Sequence, residues 1–383
     1  MRVGHAGNSI YLDLCNDAGE IVELTADGWK ITQQAPVKFE RPRGMLPLPR
    51  PVTGGSIDDL RPLLPRLDEE SWILVASWLL GAMNSDGPYP ILSVIGEAGS
   101  AKSTMCRLLR NVLDPRVGDL RMMPKTARDL AIAASHAHLL VFDNVSHLQP
   151  AHSDALCQIA TGASFGTRQL FTDGDEILIR VQHPILFNGI DEFVERTDLR
   201  DRCIRIDLPH LDEGRRRPER ALYREFVEVH PQVLGALCDA VCPAIRNRDQ
   251  AAPMALPRMA DFAGWVVAAE PALPWAAGEF IRAMNANSRR ALRAGLGGDA
   301  ICGAINDLVP PGADQWEGTA GALHGLLHVR IPSDARRSAR FPSNTMALVS
   351  RLRRIAPDMR SAMGIDITVV DAGQRVAIRR LLA

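Results

Sequence analysis

The residues best suited to chemistry in this chain lie in one run, Ile91-Leu-Ser-Val-Ile-Gly-Glu-Ala-Gly-Ser-Ala-Lys-Ser-Thr104, where an apolar stretch enters a small-residue loop ending in Lys-Ser-Thr. A strand that feeds such a loop into a helix aims backbone N–H groups and the positive end of the helix dipole at a polyphosphate. The cradle comprises Gly96, Glu97, Ala98, Gly99, Ser100, Ala101, Lys102, Ser103 and Thr104. Lys102 is placed to reach the β- and γ-phosphates of ATP, and the Ser103 hydroxyl to ligate Mg²⁺. Ala101 stands where the G-x-x-x-x-G-K-[ST] pattern has its last glycine, and its methyl restricts positive φ. Lysine is otherwise rare, with only Lys30, Lys38 and Lys125 besides Lys102, so its presence in this loop is informative.

A nucleotide hydrolase also needs a carboxylate at the tip of a neighbouring strand to hold Mg²⁺ through water, and Leu139-Leu-Val-Phe-Asp143-Asn144 supplies Asp143 as this second metal-binding residue. Asn144 follows it, where many such enzymes place a glutamate to polarise the attacking water. An amide orients water but cannot take its proton. Slow or partner-dependent hydrolysis, or a base supplied from elsewhere, is the expectation. The next apolar run, Pro184-Ile-Leu-Phe-Asn188-Gly189, offers Asn188 to the attacking water or the γ-phosphate. Arg196, Arg200 and Arg202 follow within Glu195-Arg-Thr-Asp-Leu-Arg-Asp-Arg-Cys-Ile-Arg205. An arginine offered across a subunit boundary stabilises transition-state charge. The alternative is that these arginines pair with Asp198, Asp201 and Glu195 on a solvated face.

The elements that must hold these groups read as an α/β protein. Residues 10–15, 21–25, 29–32 and 37–40 read as short strands of a β-meander, and the Pro/Gly-rich stretch 41–56 as a linker. Helical patterns at 57–64 and 69–83 lead into the phosphate-loop strand. From there to about residue 209 apolar strands alternate with helices, which marks a parallel sheet. Between Asp143 and Asn188 lie a helix at 153–161 and a hairpin at 165–182 with the turn signal Thr172-Asp-Gly-Asp175. Residues 218–308 carry only helical patterns.

At this point the run from Ser93 to Pro209 resembles the ATPase module of phage- and mobile-element replication proteins, AAA+ enzymes close to the superfamily-3 helicases and often described as primase-associated. Gly-Glu-Ala-Gly-Ser-Ala-Lys-Ser-Thr, Phe-Asp-Asn, Asp-Ala-Leu-Cys-Gln-Ile-Ala-Thr-Gly, Thr-Arg-Gln-Leu-Phe-Thr-Asp-Gly-Asp-Glu and Phe-Asn-Gly-Ile carry the likeness in order and spacing. The resemblance implies that Lys102, Ser103 and Asp143 bind Mg-ATP and that Asn188 is the sensor. It implies Arg202 as the arginine finger, with Arg196 second, and a hairpin that projects into the channel of a ring. The hairpin tip is acidic where DNA-translocating relatives often carry lysine or histidine, which moves the expected DNA contact to Arg168 and Arg180 on its stems.

From Trp316 to the end, eleven arginines stand against five acids, a local charge of +6 in a chain whose net charge is −1. Helical signals at 319–327 and 343–355, then strands 365–370 and 375–380 around Asp371-Ala-Gly-Gln374, make a helix, helix, wing arrangement. In a winged helix the second helix enters the major groove and the hairpin touches the backbone. Arg351, Arg353 and Arg354 fall on or beside that helix, and Arg375, Arg379 and Arg380 on the wing. A basic cap that never meets DNA is the alternative.

The expected architecture is therefore a meander and linker at 1–50, a P-loop NTPase of AAA+ type at 51–215, a helical segment at 216–310 and a winged helix at 311–383. With 383 residues and 46% hydrophobic content the chain has ample core for this. Seven scattered cysteines point to a reducing compartment with no disulfide framework, and Cys238 and Cys242 have no partner pair for zinc. The apolar run 72–83 is too short to span a bilayer, so a cytoplasmic protein without a membrane partner is expected. The functional expectation is an ATP-driven DNA motor, a replicative helicase acting as a homo-oligomeric, hexameric ring, with DNA and a primase or other replication protein as partners. A non-translocating AAA+ switch is the alternative, whether helicase loader, initiator or nucleotide-sensing regulator.

Overall fold

Buried residues alternate between two cores along three of the four strands of the central sheet, and the fourth buries one face only. In the computed structural model, β1 (Val3–Ala6), β2 (Ser9–Asp13), β3 (Ile21–Thr25) and β4 (Gly28–Thr32) form an antiparallel sheet in that order. There follow α1 (Glu69–Ala82), β5 (Ile91–Gly96), α2 (Lys102–Leu113), α3 (Ala127–Ser135), β6 (Leu140–Phe142), α4 (Pro150–Thr161), β7 (Ala163–Arg168), β8 (Glu176–Val181), β9 (Ile185–Gly189), α5 (Thr197–Arg200), β10 (Cys203–Leu208), α6 (Glu219–Arg246), α7 (Ala260–Ala269) and α8 (Glu279–Gly297). The structure describes all residues except 1, 119, 169–175, 191–193, 195, 212–213, 215–216, 250–257, 311–314, 337–340, 371–373 and 382–383, with backbone alone at 163–168 and 176–180.

The chain divides into two compact units, residues 1–287 and 288–383. In the first, the sheet order is β10-β5-β9-β6, with every pair parallel. Ile91 and Ile95 of β5 join a core with Leu140, Phe142, Ile185 and Phe187. Leu92 and Val94 join another with Val141, Leu186, Ile204 and Ile206. The sheet is thus covered on both faces, as parallel sheets must be. The antiparallel β7–β8 hairpin runs from Ala163↔Val181 to Arg168↔Glu176, and its tip lies outside the described residues.

The amino-terminal sheet is part of this unit. Leu12, Val22 and Leu24 share the core of Val233 and Leu237 on α6, and Trp29 donates to Asp239 at 2.7 Å. Two expectations, one for a strand and one for the linker, change here. Residues 37–40 form no strand, and β1 takes its place, because the turn at Gly7 (φ 57°) folds Val3–Ala6 back onto β2. The stretch 41–56 is anchored along its length and does not hang free. Arg41 grips Asp13 at 2.7 and 2.9 Å, Leu48 is buried, and Val52 N–H donates to Pro231 O at 2.9 Å. A Cβ at Gly235 would stand 1.8 Å from Val52 O, so only glycine lets the segment cross α6 there.

The division between units falls within α8, so α6, α7 and the first half of α8 belong to the first unit, where a separate helical segment was expected. The second unit adds α9 (Ala300–Leu308), β11 (Gln315–Thr319), α10 (Ala320–Arg330), α11 (Ser333–Arg336), α12 (Thr345–Met363), β12 (Ile365–Val370) and β13 (Arg375–Arg380). Its sheet order is β11-β13-β12, all antiparallel. The two long hairpin strands lie where their alternation puts them; β11, three of whose residues are exposed, carries no such signal. Helix α12 starts after the Asn344 cap and runs past Pro357 to Gly364, further than expected, because Pro357 sits on its exposed face.

Candidate nucleotide site

The phosphate loop leaves β5 at its carboxyl end and enters α2 at Lys102. Gly96 has no alternative, since a Cβ there would meet Ser100 Oγ at 2.7 Å and Leu208 O at 2.9 Å. Ala101 takes the left-handed conformation, φ 61° and ψ 25°, that its place in the pattern demands of glycine. It is the residue before the helix, and no side chain caps the first turn of α2. The first N–H groups of that helix therefore face the loop without a side-chain acceptor, the arrangement that suits an anion.

Lys102 folds back over the loop, with Nζ 2.6 Å from Gly96 O, 2.7 Å from Glu97 O and 3.4 Å from Ser100 Oγ. Burial lowers its pKa from the ordinary lysine value, while the nearby Asp143 carboxylate opposes that shift. Ser103 Oγ donates to Asp143 Oδ1 at 2.8 Å. The two residues expected to hold a metal are thus in contact, though they come from α2 and the tip of β6.

Strand β9 lies between β5 and β6, so Asp143 is not on the strand next to the loop, as the sequence reading had it. Phe142 pairs with Phe187, which brings Asn188 level with Asp143. Asn188 is buried and its amide is fully engaged: Nδ2 donates to Asp143 Oδ1 at 2.7 Å and to Cys106 Sγ at 3.3 Å, and Oδ1 accepts from Asn144 N–H at 3.1 Å. Asn188 sets the carboxylate and the turn after it. Asn144 itself has φ 54° and an exposed side chain. Cys106, whose thiol burial pushes up to about 12, was not singled out in the sequence, since a thiol in a helix carries no motif.

Asp114, just past α2, braces this geometry from behind. Its carboxylate accepts from Arg2 Nε at 3.4 Å and from the N–H groups of His138 and Leu139 at 3.1 and 3.2 Å. The end of α2 and the approach to β6 are thereby tied to one buried pair. Beside the loop opens a cleft of about 540 Å³, lined by residues 62–66, Gly99, Ala101, Thr104, Leu211, Arg217, Glu219 and Leu222. Nothing local in the sequence signals it, because its walls meet only in the fold.

Arg202 lies elsewhere. Cys203 pairs with Ile91 and Leu208 with Gly96, so Arg202 stands at the end of the sheet opposite the loop, about 20 Å away at 3.3 Å per residue. It donates to Asp198 O at 2.6 Å, while Arg196 pairs with Asp154 and Asp198, each at 2.8 Å. Arg168 and Arg180 are on the hairpin strands, and their side chains lie outside the described residues. In the second unit Arg351 is paired with Asp299, whereas Arg353, Arg354 and Arg375 are exposed. Among the described residues no cluster of metal-ligating side chains occurs beyond these, and no helix is long and apolar enough to cross a membrane.

Fold and site define a mixed α/β protein built on a parallel sheet, with a glycine-rich loop at the carboxyl edge. The chain belongs to the actinomycete integrative conjugative element replication protein family, whose model matches residues 57–287; the AICE RepA C-terminal domain matches residues 301–383. It is a replication protein of a mobile element. The first match ends at Asn287, where the compact unit ends. Among solved structures the chain is similar to the A form apo structure of the NrS-1 C-terminal region, at 12% identity and a TM-score of 0.39, over 92% of this chain and 81% of that one. It is also similar to the apo structure of NrS-1 C-terminal region 305–718, at 12% identity and a TM-score of 0.37, over 87% and 77%. No curated protein matches.

Proposed function

We propose that this replication protein is an ATP-hydrolysing DNA motor, a replicative helicase whose first unit is a P-loop ATPase of AAA+ type and whose second is a winged helix. The observation that carries the reading is the 2.8 Å hydrogen bond from Ser103 to Asp143, which joins the helix after the loop to the acidic strand tip. A hydroxyl and a carboxylate held together beside a lysine are the donor set Mg²⁺ takes with a nucleotide triphosphate. The metal, when bound, would neutralise charge on the transferred phosphoryl group. Lys102 would exchange the loop carbonyls for phosphate oxygens, the uncapped N–H groups of α2 would hold the same anion, and the half-apolar cleft would take the base.

Arg202 is too far along the sheet to reach its own loop. A ring in which it serves the next copy gives it a partner and makes assembly part of the site, as a head-to-tail hexamer does. DNA is the substrate of this motor, and a primase or another replication protein of the element its working partner.

The test is a forked-duplex unwinding assay with the wild-type chain, Lys102→Ala and Arg202→Ala, together with mass measurement with and without ATP. ATP-dependent unwinding lost in both variants is the expected result. Assembly without unwinding would favour the second reading, a non-translocating switch. Asn144 speaks for that reading, because its exposed amide cannot serve as a base.

A further inference from the structure

The second unit separates its arginines into two groups. Arg351 pairs with Asp299, Arg360 with Asp366 and Arg379 with Glu317. Arg380 donates to Val309 O at 2.7 Å and Asn306 Oδ1 at 2.8 Å, and Arg336 meets His328. These hold the unit together. Arg330, Arg353, Arg354 and Arg375 are exposed and have no ion pair among the described residues.

Two of the second group lie on one face of α12. Leu348, Leu352, Ile355 and Met359 bury the inner face. Opposite them, at helical spacing, run Met346, Ser350, Arg353, Arg354 and Pro357, all exposed, with Met346 at 80%. No carboxylate stands among these five residues, and Arg360, one turn further along the same face, is held by Asp366. A cationic stretch from Met346 to Pro357 with an apolar side chain and a hydroxyl is complementary to base edges beneath flanking phosphates, and a helix about 10–12 Å across fits the major groove of about 12 Å. A single strand offers no such groove. Arg375 opens the adjoining strand β13, where a wing would meet the backbone.

We propose that the outward face of α12 reads a specific double-stranded sequence in the major groove, with Arg353 and Arg354 on base edges and Arg375 on phosphate. The second unit then selects where on DNA the first unit acts. This rests on the DNA-binding reading above but is independent of ATP hydrolysis.

The experiment measures fluorescence anisotropy of the full chain with a labelled 30-base-pair duplex and with its single strand, and selects bound sequences from a random duplex pool. Wild type is expected to prefer duplex and to enrich one sequence. Arg353→Ala with Arg354→Ala is expected to lose about tenfold or more in affinity for the enriched duplex. Replacing both by lysine should retain salt-dependent binding and lose the sequence preference, because lysine lacks the two-pronged geometry. Arg282→Ala, on an exposed side chain of the first unit, should change neither. Preference for the single strand, no enriched sequence, or an alanine pair that binds as wild type would each overturn the proposal. Lys102→Ala should bind duplex normally, so loss of ATP turnover alone leaves the proposal standing and strikes only the motor.

Discussion

The phosphate loop and the face of α12 use polar side chains in opposite ways. In the loop each group that matters is tied to another: Lys102 to two carbonyls, Ser103 and Asn188 to Asp143, Asn144 to Asn188. On α12 the residues of the proposed contact are those without an ion pair among the described residues, and Arg351 leaves the set because Asp299 holds it. Pairing marks function in an enclosed site, where preorganised groups must already point at the reacting atoms. On an open surface it removes a side chain from use, since a paired guanidinium has lost the geometry and charge a phosphate or base would need.

The sharpest way to break this contrast is at Lys102 and Asp143. Lys102→Ala and Asp143→Asn should each cut ATP turnover by about a hundredfold or more, in line with the loss of a preorganised charge in an enclosed site. Duplex affinity should stay within twofold. Turnover that survives both changes would mean that the tied cluster is only a structural clasp.

A smaller effect tests how enclosed the first unit is. His230 stacks on Phe226 with ring centroids 4.7 Å apart, its Nε2 is 3.0 Å from Val112 O, and burial pushes its pKa down to about 4. His183, likewise buried, falls to about 3. Below the ordinary value near 6.5 the unfolded chain binds protons that these folded imidazoles refuse, so stability is full above pH 6.5 and is lost as pH falls toward 4. At pH 5 each contributes a loss of about 2 kcal/mol. His230→Gln keeps a donor for Val112 O and cannot titrate. Urea midpoints at pH 7 and pH 5 should therefore lie closer together in the variant than in the wild type, and an unchanged gap would show that His230 is not held neutral.

Next in size is Arg351 against Arg353. Arg351→Ala should destabilise the second unit by about 1–3 kcal/mol, because Asp299 also caps α9 through the N–H groups of Ile301 and Cys302 and would lose its charged partner. Arg353→Ala should shift the melting transition by less than about 0.5 kcal/mol. Equal effects would erase the distinction between the two groups of arginines.

What could be read from the chain follows from how local each signal is. The run from Ile91 to Thr104 and the strands Ile365–Val370 and Arg375–Arg380 depend on spacing and turn residues within a few positions, and the fold has them where the pattern does. Choosing between Val3–Ala6 and residues 37–40 as the first sheet partner required knowing which turn closes onto β2. The insertion of β9 between the loop strand and the acidic strand was illegible too, since strand order is a tertiary choice, and it is what brings Asn188 into hydrogen-bond contact with Asp143. Arg351 and Asp299, 52 positions apart, show the same limit at the surface. The charge excess was visible in composition, but which arginines stay exposed was decided by the packing.

The smallest effect concerns Ala101, where the tied cluster carries backbone strain. An alanine at φ 61° costs about 1 kcal/mol relative to glycine, and the loop holds it there because Lys102, Gly96 and Ser100 fix the turn on either side. Ala101→Gly should therefore raise the melting temperature of the first unit by about 2–3 °C, the shift such a gain brings in a domain of this size. The Ser103 to Asp143 hydrogen bond does not depend on that methyl, so ATP turnover should remain within about twofold. A variant that melts lower would mean that the loop gains more from a stiff unfolded chain than it loses to strain. One that melts higher but hydrolyses much more slowly would show that the strain itself positions Lys102, and the contrast with α12 would then extend from side-chain pairing to the backbone.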